Sequence, residues 1–227
     1  MSFLNTVRFG VATAALLASS CSFAAAVVGA FPSSSNGNTP SATDIFDVSQ
    51  GTTIVSASPQ NPGSDARSAL GFHNATFPPD PDNAYFLDGL PTGSVSQITF
   101  RLASATQVGG YNFYTFDDSF VPNNSNRGIV DFRLFGSADG ISFDLLSSAT
   151  VPGHPYVPNQ VPIGNALYIT DSFTPVQIQF LRLEVTRFNT TGPRIFELDG
   201  VSAVPIPAAL YLLGPAFSGI AFMRRRA

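Results

Sequence analysis

Between Asp44 and Ala203 apolar side chains recur at every second position in short runs, and clusters of Gly, Pro and Asn separate the runs. The clearest runs are Ser96–Ala103 with Ile98, Phe100 and Leu102, Gly110–Phe116 with Tyr111 and Phe113, and Ile129–Gly136 with Val130, Phe132 and Leu134. Phe180–Phe188 repeats the pattern with Leu181, Leu183 and Val185, and Arg194–Val201 with Ile195 and Leu198. Thr53–Ala57, Phe143–Ser147 and Ala166–Thr170 are shorter runs of the same kind. A period of two sends alternate side chains to opposite faces of a strand, whereas a helix would need apolar residues three and four apart. No helical stripe competes, so the stretch is expected to be all-β, an antiparallel β-sandwich or jelly roll with one face of each sheet turned inward. About 160 residues suffice for one domain around a single core.

The two ends read differently. Met1–Ala26 carries one charge, Arg8, then an apolar stretch from Phe9 to Ala18 and small residues at Ser22, Ala24, Ala25 and Ala26, the pattern of an export signal peptide. Cys21 stands where a lipoprotein cysteine would stand, yet Ala18-Ser19-Ser20 lacks the Leu usually found three residues before it. Cleavage after Ala24 or Ala26 leaves a mature chain without cysteine, so its fold uses no disulfide. Residues 27–43, rich in Pro, Ser, Asn and Gly, are expected to be a linker before the domain at 44–203. From Val204 to Met223 the chain is uncharged and apolar, and Arg224, Arg225 and Arg226 follow directly. At 1.5 Å per residue, roughly 20 helical residues span a hydrocarbon core of about 30 Å. Arginines flush with such a run stay cytoplasmic, so the domain is expected outside the membrane.

Val204-Pro205-Ile206-Pro207-Ala208-Ala209-Leu210, followed by Leu212-Leu213-Gly214 and the three terminal arginines, resembles the PEP-CTERM class of C-terminal sorting domains, in the variant reading Val-Pro-x-Pro-Ala. The resemblance implies recognition by an exosortase, a membrane cysteine protease or transpeptidase of Gram-negative bacteria that make exopolysaccharide, with removal or exchange of the tail. Ile206 replaces the Glu of the commonest form, and Pro215 interrupts the apolar run. On this reading the protein passes through the inner membrane to the envelope or matrix.

All eleven basic residues are arginine, and four of them (Arg8, Arg224, Arg225 and Arg226) lie in the end segments. The remaining seven face fifteen acidic residues, which excludes nucleic acid, since phosphate backbones are held by clustered cations. Candidates for catalysis are few. His73 and His154 sit in Gly/Pro/Asn stretches with no second histidine at metal spacing, and no Gly-x-Ser-x-Gly elbow occurs. Asp117 and Asp118 are adjacent, so they point apart rather than forming an acid/base pair. The domain is expected not to be an enzyme.

Four segments, Gly109–Tyr114, Val130–Phe143 with its Ser137-Ala138-Asp139-Gly140 turn, Ile178–Val185 with Phe180-Leu181-Arg182-Leu183, and Ile195–Gly200, resemble in order the discoidin or coagulation-factor C-type domains of the galactose-binding-like superfamily. The chain departs from them in having no tryptophan and none of the paired cysteines of the animal members. The resemblance implies a structural calcium held between an early Asp-Gly loop and a glutamate of the last strand, here Asp88 before Gly89 and Glu197, with hard oxygen ligands suited to that ion. On the residues alone, Asp88-Gly89 also reads as an ordinary turn and Glu197 as an ion-pair partner of Arg182 or Arg194. The resemblance also places ligand-binding loops at one end of the barrel. The loops richest in planar hydrogen-bonding groups are 117–127, with Asp117, Asp118, Asn123, Asn124 and Arg127, and 187–194, with Arg187 and Asn189. Phe116, Phe120 or Phe188 would supply an aromatic face for a sugar, although a phenylalanine flanking a strand is more often core. Three functions remain open: an exported non-catalytic protein that binds glycan or exopolysaccharide, a structural matrix or surface component without a ligand, and an extracellular hydrolase.

Overall fold

The computed structural model describes residues 25–30, 41, 43–71, 84–116, 127–151 and 166–203. The expected signal peptide up to residue 24 and the whole sorting tail lie outside the described residues, as do His73 and His154. Among the described residues no helix is long and apolar enough to cross a membrane.

Eight strands form one continuous antiparallel sheet: β1 (Val27–Ala30), β2 (Thr53–Ala57), β3 (Ala84–Tyr85), β4 (Val95–Phe116), β5 (Ile129–Ser137), β6 (Asp144–Thr150), β7 (Ala166–Arg187) and β8 (Arg194–Ser202). The two long strands make it a sandwich. The first half of β4 pairs with β2 and with the second half of β7, which continues to β5 and β6. The second half of β4 pairs with β8 and with the first half of β7, which continues to β1. Register shifts between Arg101 and Thr106 and between Val108 and Gly110 mark where β4 turns from one layer into the other, as bulges do at sheet corners. Alternation alone predicts separate strands over 96–103 and 110–116, and likewise over 166–170 and 180–188, whereas each pair is one bent strand. Val27–Ala30, expected to be linker, form an edge strand on β7.

Alternation becomes burial as expected. Phe100, Phe132, Leu134, Leu181, Leu183 and Val185 from the first layer meet Tyr111, Phe113, Leu167, Ile169 and Leu198 from the second, all fully buried. Phe132 is the contact between layers: its ring centroid lies 5.1 Å from Tyr111 and 4.7 Å from Phe113. One polar chain crosses the same space, where the Tyr111 hydroxyl lies 3.0 Å from Ser147 Oγ, which donates to Asp171 Oδ2 at 2.6 Å.

The β5–β6 turn forms as its residues suggest. Gly140 takes φ +75°, which glycine adopts without a Cβ clash. Asp139 Oδ1 accepts from the N–H groups of Ile141 (2.8 Å) and Ser142 (2.9 Å), and Ser137 Oγ accepts from Gly140 N–H (2.9 Å). Those donors hold the Asp139 carboxyl below the usual carboxylate range.

The bends in β4 and β7 give the sandwich two poles. At one pole lie the corner residues 102–109 of β4 and the end of β8, where Ala203 N–H donates to Gln107 O at 3.3 Å. The ends of β2 and β7, both ends of β4, and the starts of β5 and β8 meet at the other, the apical pole. There the loops 58–64, 86–94, 127–128 and 188–193 are joined by backbone hydrogen bonds, among them Leu87 N–H to Pro59 O (2.9 Å), Gly89 N–H to Thr190 O (2.8 Å) and Arg194 N–H to Arg127 O (3.1 Å).

Candidate metal centre and apical surface

Glu197 and Asp199 are two apart on β8 and therefore point to the same side of the sheet, opposite Leu198 in the core. The segment before β2 runs beside them. Asp44 Oδ1 accepts from Phe46 N–H (2.7 Å) and Gly200 N–H (2.6 Å), and Asp199 Oδ2 accepts from Ser41 N–H (3.0 Å). Asp47 Oδ1 caps the 3-10 turn Val48–Gln50 by accepting from Ser49 N–H. One carboxylate oxygen each of Asp44, Glu197 and Asp199 lies within 4.8 Å of the others. Asp47 joins them at Gly71, where an added Cβ would overlap Asp47 Oδ2 and lie 2.8 Å from Glu197 Oε1.

Five oxygens of this group (Asp44 Oδ2, Asp47 Oδ2, both of Glu197, and Asp199 Oδ1) are buried with no hydrogen-bond partner among the described residues, and Glu197 has no exposed surface. None of the ion pairs of the described residues reaches them. Burial, and then the neighbouring carboxylates, raises Asp44 to about 6 and drives Glu197 and Asp199 well above the ordinary carboxylate range. Burial, with the charges of Asp199, Glu197 and Asp44, also raises the hydroxyl of Tyr114 beside them. Stripped buried carboxylates are costly unless paired or metal-bound. The donor set is all hard oxygen and strongly anionic, which fits calcium. Gly71 at φ +73° leaves its backbone at the same spot with no side chain in the way.

Asp88 stands elsewhere. Partial burial works against its charge, but Gly192 N–H (2.7 Å to Oδ1) and the Arg127 guanidinium (Nη1 3.0 Å from Oδ1) outweigh it and hold the carboxyl low. The partner set of Glu197 is thus Asp44, Asp47 and Asp199 rather than Asp88, and Arg182 instead lies 3.1 Å from Glu184. Sequence reasoning passed over Asp44, Asp47 and Asp199. The signal that would have found two of them is Glu197-x-Asp199 on a strand flanked by apolar residues.

The apical surface gathers some of the sequence-derived ligand residues and sets others aside. Asp117, Asp118, Asn123 and Asn124 lie outside the described residues. Arg127 is ion-paired to Asp88, donates to Gly192 O (3.3 Å), and lies over the Tyr85 ring at 5.1 Å, with Arg194 5.3 Å from the same ring. Asn189 Oδ1 accepts from Thr191 N–H at 2.7 Å, shaping its own loop. Arg187 differs from the expectation: it is fully buried and donates to Leu87 O (3.1 Å), Thr190 O (3.4 Å) and Ser96 Oγ (3.3 Å). It ties loops together and offers no surface to a ligand. Beside these loops an open depression of about 570 Å³ is lined by Ser58, Gln60, Asn61, Ser64, Asp65 and Arg67, with Ile54 and Ala57 on its floor side. Asn61 Oδ1 accepts from Asp88 N–H (3.4 Å), linking this depression to the Arg127 loop.

No protein-family model matches the sequence, and a search of curated proteins found no similar one. Solved structures do match. CBM32-3 from a family 31 glycoside hydrolase of Clostridium perfringens superposes with a TM-score of 0.50 at 13% identity, covering 69% of this chain and 94% of that one. The family 32 carbohydrate-binding module of C. perfringens NanJ, solved with galactose, gives 0.49 at 16% identity over 69% and 97%. The family 32 module of Streptococcus pneumoniae EndoD gives 0.46 at 17% over 71% and 100%. With the strand order of the described residues, the first of these likenesses shows the fold: an all-β antiparallel sandwich of the galactose-binding-like type.

Proposed function

We propose that this is an exported, non-catalytic glycan-binding protein of the cell envelope or exopolysaccharide matrix, with a buried calcium that sets its domain and an apical surface that holds a neutral glycan. The observation that carries the glycan reading is the depression at the apical pole of a carbohydrate-binding-module fold. It offers two amides, a carboxylate, a guanidinium and two hydroxyls around a space of sugar size, the mixture of planar donors and acceptors that fixes sugar hydroxyls. Asp44, Asp47, Glu197 and Asp199 would hold the calcium, whose double charge would balance carboxylates that otherwise lack a partner. Its role is to fasten the segment before β2 to β8, and no reaction is assigned to it.

Immobilised neutral glycans ending in galactose should retain the full-length protein in detergent, with little dependence on salt, because no ligand charge is screened. Asn61→Ala and Arg67→Ala should each weaken retention about tenfold, the worth of one hydrogen bond to a ligand. Parental retention by both variants, or no retention of the parent on any glycan, removes this reading and leaves a structural matrix component.

Sorting is the second half of the proposal. Val204, Pro205, Pro207 and Ala208, with Arg224, Arg225 and Arg226, would present the tail to an exosortase-type enzyme in the inner membrane. Mass spectrometry of the protein from its native host should then find a C-terminus between Ala203 and Ala209. An Arg-terminated chain in the mature envelope would leave the tail as a simple anchor.

A further inference from the structure

The outward face of the first layer carries an arrangement that the apical reading does not use. Along β7, Phe180, Arg182 and Glu184 face outward. They pair with Arg101, Thr99 and Gln97 on β4, and on β5 with Ser137, Phe135 and Arg133. Residues paired in an antiparallel sheet share a face, so Arg101, Arg182 and Arg133 lie on one diagonal across three adjacent strands. Diagonal neighbours are about 7–8 Å apart, which makes the line about 15 Å long.

The three arginines are prepared differently. Arg182, in the middle, has its guanidinium carbon 4.6 Å from the ring centroids of both Phe135 and Phe143. Glu184 sits between Arg182 (3.1 Å) and Arg133 (3.4 Å), so one carboxylate is already held by two guanidinium groups here. Arg101 is exposed, lies 6.0 Å from the Phe180 centroid, and among the described residues makes no ion pair or side-chain hydrogen bond. Asp131, one row beyond Arg133, accepts from Thr150 Oγ1, and Asp139 accepts from Ser137 Oγ (2.9 Å) beside Phe180, so two further carboxylates border this face, each already held by a hydroxyl. Three of the seven arginines between the end segments therefore collect on one sheet face of a body with fifteen acidic residues. Gln97, Thr99, Thr53 and Ser148 supply small polar groups beside them.

We infer that this face is a second binding surface, for a carboxylated polysaccharide laid across the strands, with Arg101 as the guanidinium that pairs a uronate carboxylate. Repulsion by the rest of the body keeps polyanions away from other faces, and the aromatic rings hold the guanidinium groups in place on this one. A polymer brings several carboxylates to the diagonal at once, so weak single pairs add through effective concentration.

The test uses the full-length protein in detergent, titrated with sodium alginate, whose units are all uronates, and with uncharged dextran. Alginate binding should weaken as salt rises. Arg101→Gln should lower alginate affinity about fivefold, the upper range for one exposed ion pair, and flatten its salt dependence. Arg101→Glu should lower it further, both variants unfolding at the parental temperature. Parental alginate affinity in Arg101→Gln, loss through Arg127→Gln instead, or no alginate binding by the parent overturns the inference. The result is separable from the apical reading. Neutral-glycan retention should survive in Arg101→Gln, and alginate binding without any neutral-glycan binding keeps this face and removes the apical one.

Discussion

With a chelator present, the protein should become less stable as pH rises from 5 to 8, and calcium should reverse that trend. The sign follows from the carboxylate cluster. Burial and mutual repulsion raise Asp44 to about 6 and push Glu197 and Asp199 higher still, while in the unfolded chain such groups titrate at about 4. Through that window the native state binds more protons than the unfolded one, so stability is full at low pH and is lost as pH climbs through the native values. Asp44 alone contributes about 1.4 kcal/mol to the loss, roughly one pKa unit between pH 5 and its native value of about 6. Calcium at the proposed site would compete with those protons for the ionised form, so at pH 8 a concentration one hundred times its dissociation constant should add about 2.7 kcal/mol. Urea unfolding at pH 5 and pH 8, in chelator and in excess calcium, reads both effects. Identical midpoints with and without calcium at pH 8 would remove the metal. A chelated protein that gains stability between pH 5 and 8 would contradict the cluster itself.

Replacing Phe132 by alanine should destabilise the domain by about 4 kcal/mol, the ordinary cost of emptying a buried phenylalanine site. The side chain is fully enclosed, stacked on Tyr111 and tilted against Phe113 of the opposite layer, so its loss removes packing between the two halves of the sandwich at once. The Tyr111–Ser147–Asp171 chain runs through the same gap, and water entering the cavity would compete for it. Phe132→Leu should recover most of the loss, because volume in the gap matters more than the ring pair, which is worth about 1 kcal/mol. A denaturant midpoint for Phe132→Ala within error of the parent would mean that the layers are held together elsewhere.

Strand identity was legible wherever one face of a strand is buried and the other wet, as along β5, where Phe132 and Leu134 point in and Arg133 points out. The continuity of β4 was not. Ser104, Ala105, Gln107 and Gly109 look like the end of a strand and the start of the next. Whether such a stretch stops or bends depends on partners far away in sequence, here residues 176–178 of β7. Val27–Ala30 reads as too short to be a strand until β7 offers it an edge. The carboxylate cluster was half legible. Glu197 was singled out, but Asp44 and Asp47 reach it across some 150 residues, a pairing that no local spacing reveals. Arg187 was misplaced for a related reason. It is the last residue of a strand, and the loops that follow close over it, so a residue that reads as apical surface becomes the buried tie beneath it.

The position of Ala203 against Gln107 at the corner pole has a mechanical consequence. Strand β8 runs from the apical loops to that point, hydrogen-bonded to β4 over most of its length. If the apical loops grip a matrix polymer while the chain beyond Ala203 is anchored, tension enters the domain at the two ends of the same strand. It then acts parallel to β8, and the rungs between β8 and β4 are loaded together in shear instead of being peeled one at a time. Rupture requires many rungs to fail at once, so under steady pull the domain should outlast a variant circularised to place its tether at the apical pole. Forced unfolding is governed by the unfolding barrier, and an arrangement of this kind would suit the matrix-binding role proposed above.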